Sequence, residues 1–171
     1  MGAFEMNYNI REIQARDNKI VEEIIRSCLL EFGGKREGTA WWDPDLGRFS
    51  EIYNTEEKKY WVAETAELEI VGGVGIAPLA GAENDRICEL QKMYCIPKVR
   101  GTGVSHKLIG TALEHARKYY DKCYLETFGN MNAAQKFYEK YGFERIDKPL
   151  GNTGHYGCDV MYIKQLTEDS K

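Results

Sequence analysis

Arg100-Gly101-Thr102-Gly103-Val104-Ser105 sets two glycines one residue apart behind an arginine and just ahead of a run with helical spacing. Glycine accepts the backbone angles of a tight turn, so successive N–H groups in such a loop can aim at one point, and that point attracts an anion. A helix starting near Val104 adds its unpaired N–H groups and partial positive charge there, while Arg100 supplies a full charge at the rim. Pyrophosphate suits this combination; the alternative is a plain glycine turn beside a solvated arginine. Two common phosphate loops do not fit. G-x-x-x-x-G-K-[ST] is absent, and G-x-G-x-x-G fails because His106 stands at its third glycine. Gly72, Gly73 and Gly75 have no helix behind them and read as a bulge or a close backbone approach inside a strand.

A second group of residues offers acid–base chemistry. Period-two alternation puts Glu89, Gln91, Met93 and Cys95 on one face of a strand, so Glu89 presents a carboxylate there, either as a base or as a solvated strand side chain. Glu126 and His155 are its rivals, His155 within the loop Gly151-Asn152-Thr153-Gly154-His155-Tyr156-Gly157. His106 and His115 fall on a helix and read as surface residues. Trp41-Trp42 lies outside any clean element, either as a wall for a substrate or as core plugs under a loop. Cys28, Cys88, Cys95, Cys123 and Cys158 are odd in number and form no C-x-x-C pair, so they point to free thiols and to neither a disulfide framework nor a metal site.

The elements that must position these groups follow from periodicity. Asn7 to Ile13 reads as a strand, and Arg16 to Phe32 as a helix with Ile20, Ile24, Cys28 and Leu29 on its apolar side, ended by Gly33-Gly34. Gly33 to Pro44 is irregular, and Leu46 to Tyr53 suits a short helix. Tyr60 to Glu64 and Glu69 to Leu79 form a hairpin, Ala80 to Arg86 a turn, and Ile87 to Ile96 a strand that Pro97 terminates. Val104, Leu108, Ile109, Ala112, Leu113 and Ala116 make the stripe of a helix running to Tyr120. Lys122 to Phe128 is a strand, Asn132 to Tyr141 a helix ended by Gly142, and Phe143 to Ile146 and Cys158 to Leu166 are the last strands. The class is mixed α/β (α+β), a largely antiparallel sheet enclosing one parallel pair.

Length and charge narrow the partners. The 171 residues, 43% of them hydrophobic, suit one domain, with a core from Asn7 to Leu166. A net charge of −4 leaves no broad cationic field for nucleic acid, and an acidic surface suits amine substrates. There is no apolar run of membrane-spanning length and no secretory leader, which leads us to expect a cytoplasmic protein. Met1-Gly2 opens like a myristoylation signal, but Met6 stands where that signal needs Ser or Thr.

Glu89 to Pro97 followed by Arg100-Gly101-Thr102-Gly103-Val104 resembles motif A of the GNAT N-acetyltransferases, R/Q-x-x-G-x-G/A, with Ser105 in place of the last small residue. Ala134, Tyr138 and Gly142-Phe143 resemble the end of that family's motif B, A-x-x-x-Y-x-x-x-G-F, although Met131 replaces a common asparagine, flanked here by Asn130 and Asn132. The resemblance covers the central third to half of the chain. It implies the GNAT acyl-CoA fold, a mixed sheet of about seven strands flanked by about four helices, and acetyl-CoA as cosubstrate. The cofactor would lie along Met93, Tyr94, Cys95, Arg100, Gly101, Thr102, Gly103, Val104 and Ser105, with its pantetheine arm in a gap between splayed strands.

Direct transfer to a primary amine of a small molecule or peptide needs a base, a donor to the developing oxyanion and an acid for the leaving thiolate. The resemblance assigns Tyr138 as that acid and a backbone N–H near Met93 or Tyr94 as the donor. Read from periodicity alone, Tyr138 is equally a core residue on a helical face shared with Met131, Ala134 and Tyr141. Glu89 is the leading base, with Glu126, His155 or water behind it, and Trp42 and His155 are candidates for the acceptor pocket. A non-catalytic acyl-CoA sensor of the same fold is the alternative, and a homodimer is an open assembly state.

Overall fold

In the computed structural model, which describes residues 6–167, the chain runs β1 (Asn9–Glu12), α1 (Asn18–Glu31), α2 (Phe49–Ile52), β2 (Asn54–Thr55), β3 (Lys58–Glu64), β4 (Ile70–Pro78) and β5 (Ile87–Cys95). It continues through α3 (Val104–Ala116), β6 (Lys122–Thr127), α4 (Asn132–Lys140), β7 (Glu144–Ile146) and β8 (Val160–Gln165). Met1-Gly2 lies outside the described residues. The sheet order is β1-β3-β4-β5-β6-β8-β7, with β2 paired to β3 beside that path. The eighth strand, unforeseen from sequence, is β2, whose two residues are too short to show alternation.

Burial explains the helices. Val21, Ile24, Ile25, Cys28 and Leu29 are the buried residues of α1, one stripe of a 3.6-residue helix, whereas Ile20 is 37% exposed, so the apolar side sits one residue round from the expected line. Val104, Leu108, Ile109, Ala112, Leu113 and Ala116 are all buried on α3, as the stripe predicts. That helix stops at Ala116, before Tyr120. The last turn tightens as Tyr119 N and Tyr120 N both donate to Ala116 O, and Tyr120 donates its hydroxyl to Glu57 O at 2.6 Å. Residues of α3 and α4 share a core with one sheet face, and those of α1 and α2 share a core with the other. Among the described residues no helix is long and apolar enough to cross a membrane.

Every ladder is antiparallel except β5 with β6, and α3 makes the crossover between those two strands. Their pairing covers only Ile87↔Lys122, Cys88↔Cys123 and Glu89↔Tyr124, although the strands run on to Cys95 and Thr127. Beyond Glu89 they part, opening a gap in the middle of the sheet. That gap is the splay the family resemblance implies.

Candidate active site

The strand β5 changes its facing at a bulge. Gly73 pairs with Tyr94 and Gly75 with Gln91, which leaves one residue more on β5 than on β4, and Lys92 takes a positive φ of 49°. Alternation is therefore broken. Glu89 and Gln91 share a face, joined by a 2.6 Å hydrogen bond from Gln91 Nε2 to Glu89 Oε1, and Tyr53 donates to Gln91 Oε1 at 2.5 Å. Met93 and Cys95 pack instead with Cys88 and Leu90 on the α3 side, and Tyr94 turns toward the α1 side. The expectation that Glu89, Gln91, Met93 and Cys95 share one face is corrected by this extra residue. Tyr60 secures the bulge by donating its hydroxyl to Lys92 O at 2.8 Å. Its ring fits because Gly73 has no side chain: a Cβ there would lie 2.5 Å from Tyr60 Cε1.

An outer cleft of about 740 Å³ opens between the β5 end, the α3 start and α4. Met93, Tyr94, Cys95, Arg100, Gly101, Thr102, Gly103 and Ser105 all line it; Val104 does not, its side chain being fully buried in the core. Gly101 and Gly103 have φ of 80° and 89°, and nothing lies within 4 Å of where a side chain would begin. The loop thus presents bare backbone to open space at a helix N-terminus, which fits a pyrophosphate. Arg100 is at the rim but engaged: its guanidinium bonds both oxygens of Glu31 at 2.6 and 2.9 Å, and its Nε donates to Cys95 O. Thr102 Oγ1 lies 2.7 Å from Tyr8 Oη. Met131 lines the cleft where the family motif has asparagine, while Asn130 Nδ2 ties the loop to Phe32 O at 3.0 Å.

An inner cavity of about 60 Å³ lies on the other side of the gap. Glu89, Glu126 and His155, three residues far apart in sequence, bring a ring nitrogen and two carboxylate oxygens within 4.8 Å of one another there. Glu126 is held by Tyr124 Oη at 2.8 Å and by Thr153 Oγ1 at 2.5 Å. Burial pushes the Glu89 carboxyl above its ordinary range; the Gln91 bond and the Lys92 charge oppose this, and Glu126 adds to it. Asp43 accepts from His155 Nε2 at 2.9 and 3.0 Å and from Lys92 Nζ at 2.8 Å. Burial would raise Asp43, but the His155 and Lys92 contacts together hold it below the usual carboxylate range.

Outer cleft and inner cavity meet at Met93, Tyr94, Met131 and Tyr138, which line both. Tyr138 is 8% exposed, and its hydroxyl has no hydrogen-bond partner among the described residues. Burial, with smaller contributions from Cys95 and Cys123, pushes its phenol well up, so the proton stays on the oxygen and is available to donate.

Sequence reasoning missed Asp43 and Lys92. Asp43 follows the tryptophan pair in an irregular stretch, and Lys92 is aimed inward only by the bulge. Trp42 lines neither cavity: the residue is 62% exposed and its Nε1 donates to Arg36 O. Trp41, the half-buried member of the pair, packs under the Arg26 and Lys35 cations. His106 is exposed, as expected, yet it lines the outer cleft beside Tyr141 Oη.

The chain is similar to known proteins over most of its length. The YjgM protein of Escherichia coli (strain K12), described as an uncharacterized N-acetyltransferase, is 43% identical over 159 residues, 92% of this chain and 94% of its own. A GNAT-family acetyltransferase from Staphylococcus aureus Mu50 superposes with a TM-score of 0.83 at 25% identity, over 94% of this chain and all of its own. The yncA protein of Salmonella typhimurium, solved with its cofactor acetyl-CoA, gives a TM-score of 0.73 at 18% identity over 96% of this chain and 97% of its own. The family model of the GNAT acetyltransferase domain matches residues 56–145, from β3 to β7, and the chain belongs to that family.

Proposed function

We propose that this protein is an N-acetyltransferase that moves the acetyl group of acetyl-CoA to a primary amine of a small molecule or peptide by direct attack. One observation carries the proposal: the cleft lined by the glycine loop at the start of α3 and the cavity lined by Glu89, Glu126 and His155 share Met93, Tyr94, Met131 and Tyr138 as walls. A pyrophosphate over Gly101 to Ser105 leaves the length of the cleft for a pantetheine arm. A thioester at its inner end then lies beside the bulged backbone of β5 and the Tyr138 hydroxyl.

The residues present can perform each step. The acidic inner cavity attracts the acceptor as its ammonium, and Glu89, Glu126 and His155 form the group from which the base is drawn. The freed amine attacks the acetyl carbon, with a backbone N–H of the bulge donating to the oxygen that becomes negative. As the C–N bond forms and the C–S bond breaks, Tyr138 Oη gives its proton to the departing thiolate and regains one from the nitrogen. Two protons leave the ammonium in all: one goes by the base to solvent and one ends on the CoA thiol.

The test is thiol release from acetyl-CoA over polyamines, amino acids, aminoglycosides and peptide N-termini, with acetyl-CoA binding measured in parallel. Turnover of one class supports the proposal. Tight binding with no turnover across the panel would make the protein a sensor of acyl-CoA, and no binding would remove the cofactor.

A further inference from the structure

Asp43 grips His155 Nε2 with both carboxylate oxygens, at 2.9 and 3.0 Å, and is itself pinned by Lys92 Nζ at 2.8 Å. A carboxylate can only accept, so Nε2 carries the hydrogen and the lone pair of neutral imidazole resides on Nδ1. Among the described residues Nδ1 has no hydrogen-bond partner, on a ring that lines the acceptor cavity. The backbone fixes the ring from its other end: His155 N donates to Thr153 Oγ1, Cys158 N to His155 O, and Gly157 N to Gly38 O. The loop of His155 is thus tied to the loop that carries Asp43.

Glu89 and Glu126 are placed differently. One oxygen of Glu89 is occupied by Gln91 at the end of the chain Tyr53 to Gln91 to Glu89, and both oxygens of Glu126 accept hydroxyl protons. They supply negative charge around a cation, whereas the imidazole supplies an open lone pair. Resting on the N-acetyltransferase reading, we propose that His155 takes the proton of the acceptor ammonium and that Asp43 is the positioning residue that sets its tautomer. The proton moves from the acceptor nitrogen to Nδ1, leaving a neutral amine and an imidazolium paired with Asp43, and passes from there to solvent. The charged and titratable groups around the ring are Asp43 in the loop before α2, Glu89, Lys92 and Tyr94 of β5, Glu126 and Tyr124 of β6, Tyr138 of α4, Tyr53 after α2, and Cys158 in its own loop.

The experiment compares wild type with Asp43→Asn, Asp43→Glu, His155→Gln and the double variant Asp43→Asn/His155→Gln. An asparagine can turn its amide N–H toward Nε2 and force the hydrogen onto Nδ1. Nitrogen-15 chemical shifts of His155 read this without any turnover: we expect the Nε2–H form in wild type and a shift toward Nδ1–H in Asp43→Asn. An Nδ1–H ring in wild type, or a tautomer unmoved by the substitution, overturns the role of Asp43.

On an active amine, Asp43→Asn should lower kcat about a hundredfold at unchanged acetyl-CoA affinity, within the range for general base catalysis. Turnover should rise with pH on a limb that His155→Gln flattens, because a base must be deprotonated to act. Asp43→Glu should recover part of the rate, and the double variant should be no worse than His155→Gln alone. Losses that multiply in the double variant, or a His155→Gln enzyme with the wild-type limb and plateau, would overturn the assignment. Absence of turnover by wild type on every amine counts against the transferase reading instead, and the tautomer measurement stands apart from it.

Discussion

Tyr60 donates its hydroxyl to the carbonyl of Lys92 at 2.8 Å, across a sheet whose neighbouring strand has glycine at positions 73 and 75. The bond holds the bulge that sends Met93 and Tyr94 to the junction of the two cavities. Tyr60→Phe leaves the carbonyl without that donor in a buried site, which should cost about 1–3 kcal/mol of stability. It should also lower kcat at saturating acetyl-CoA, because the oxyanion donor we propose belongs to the bulge. Denaturant unfolding and steady-state kinetics on one variant check both; a destabilised variant with wild-type kcat would make the bond purely structural.

The phosphate cradle is best challenged at Ser105. Gly103 has φ of 89°, so any side chain there strains the loop, and Gly103→Trp would confound binding with folding. Ser105 lies in the first turn of α3, where an aspartate favours the helix while facing the proposed pyrophosphate site. Ser105→Asp should therefore keep or raise Tm and weaken acetyl-CoA binding about a hundredfold or more, since like charges brought together cost several kcal/mol. Calorimetry showing unchanged affinity would move the pyrophosphate elsewhere.

Tyr138→Phe removes one oxygen that has no hydrogen-bond partner among the described residues, so folding should barely change. An acid acting on the leaving thiolate matters in the transition state, and the loss should fall on kcat by about 10²–10⁴ with acetyl-CoA affinity kept. Wild-type turnover in this variant would reduce Tyr138 to packing against Phe143 and Tyr162.

Periodicity and motif together made the scaffold legible. The α3 stripe, the loop from Arg100 to Ser105 and the parallel pair all follow from local spacing, which the chain carries within a few residues. The facing of Met93 and Cys95 did not, because one extra residue at Lys92 reverses every later side chain, and nothing local marks it except glycines on the opposite strand. Glu89, Glu126 and His155 were each recognisable as possible bases, but their meeting depends on β5, β6 and the loop before β8 converging in space. Asp43 was hidden for the same reason: its partners are Lys92 and His155, 49 and 112 residues away.

Glu89 ties the proposed binding of the acceptor ammonium to stability with a definite sign. Its native carboxyl is raised by burial above the unfolded value of about 4.3. A raised carboxyl favours the native state while both forms are protonated, and that advantage is lost as pH rises from the unfolded value through the native one. Glu89→Gln keeps an acceptor for the Gln91 bond and removes the ionisation. Relative to wild type, its Tm should gain progressively from about pH 4 upward and then level off. Over the same range the variant should bind the acceptor ammonium more weakly, seen as a higher KM for the amine with acetyl-CoA saturating. A Tm difference that stays flat with pH would mean that Glu89 is not ionising against its burial. An unchanged KM would mean that the ammonium is held by Glu126 without it.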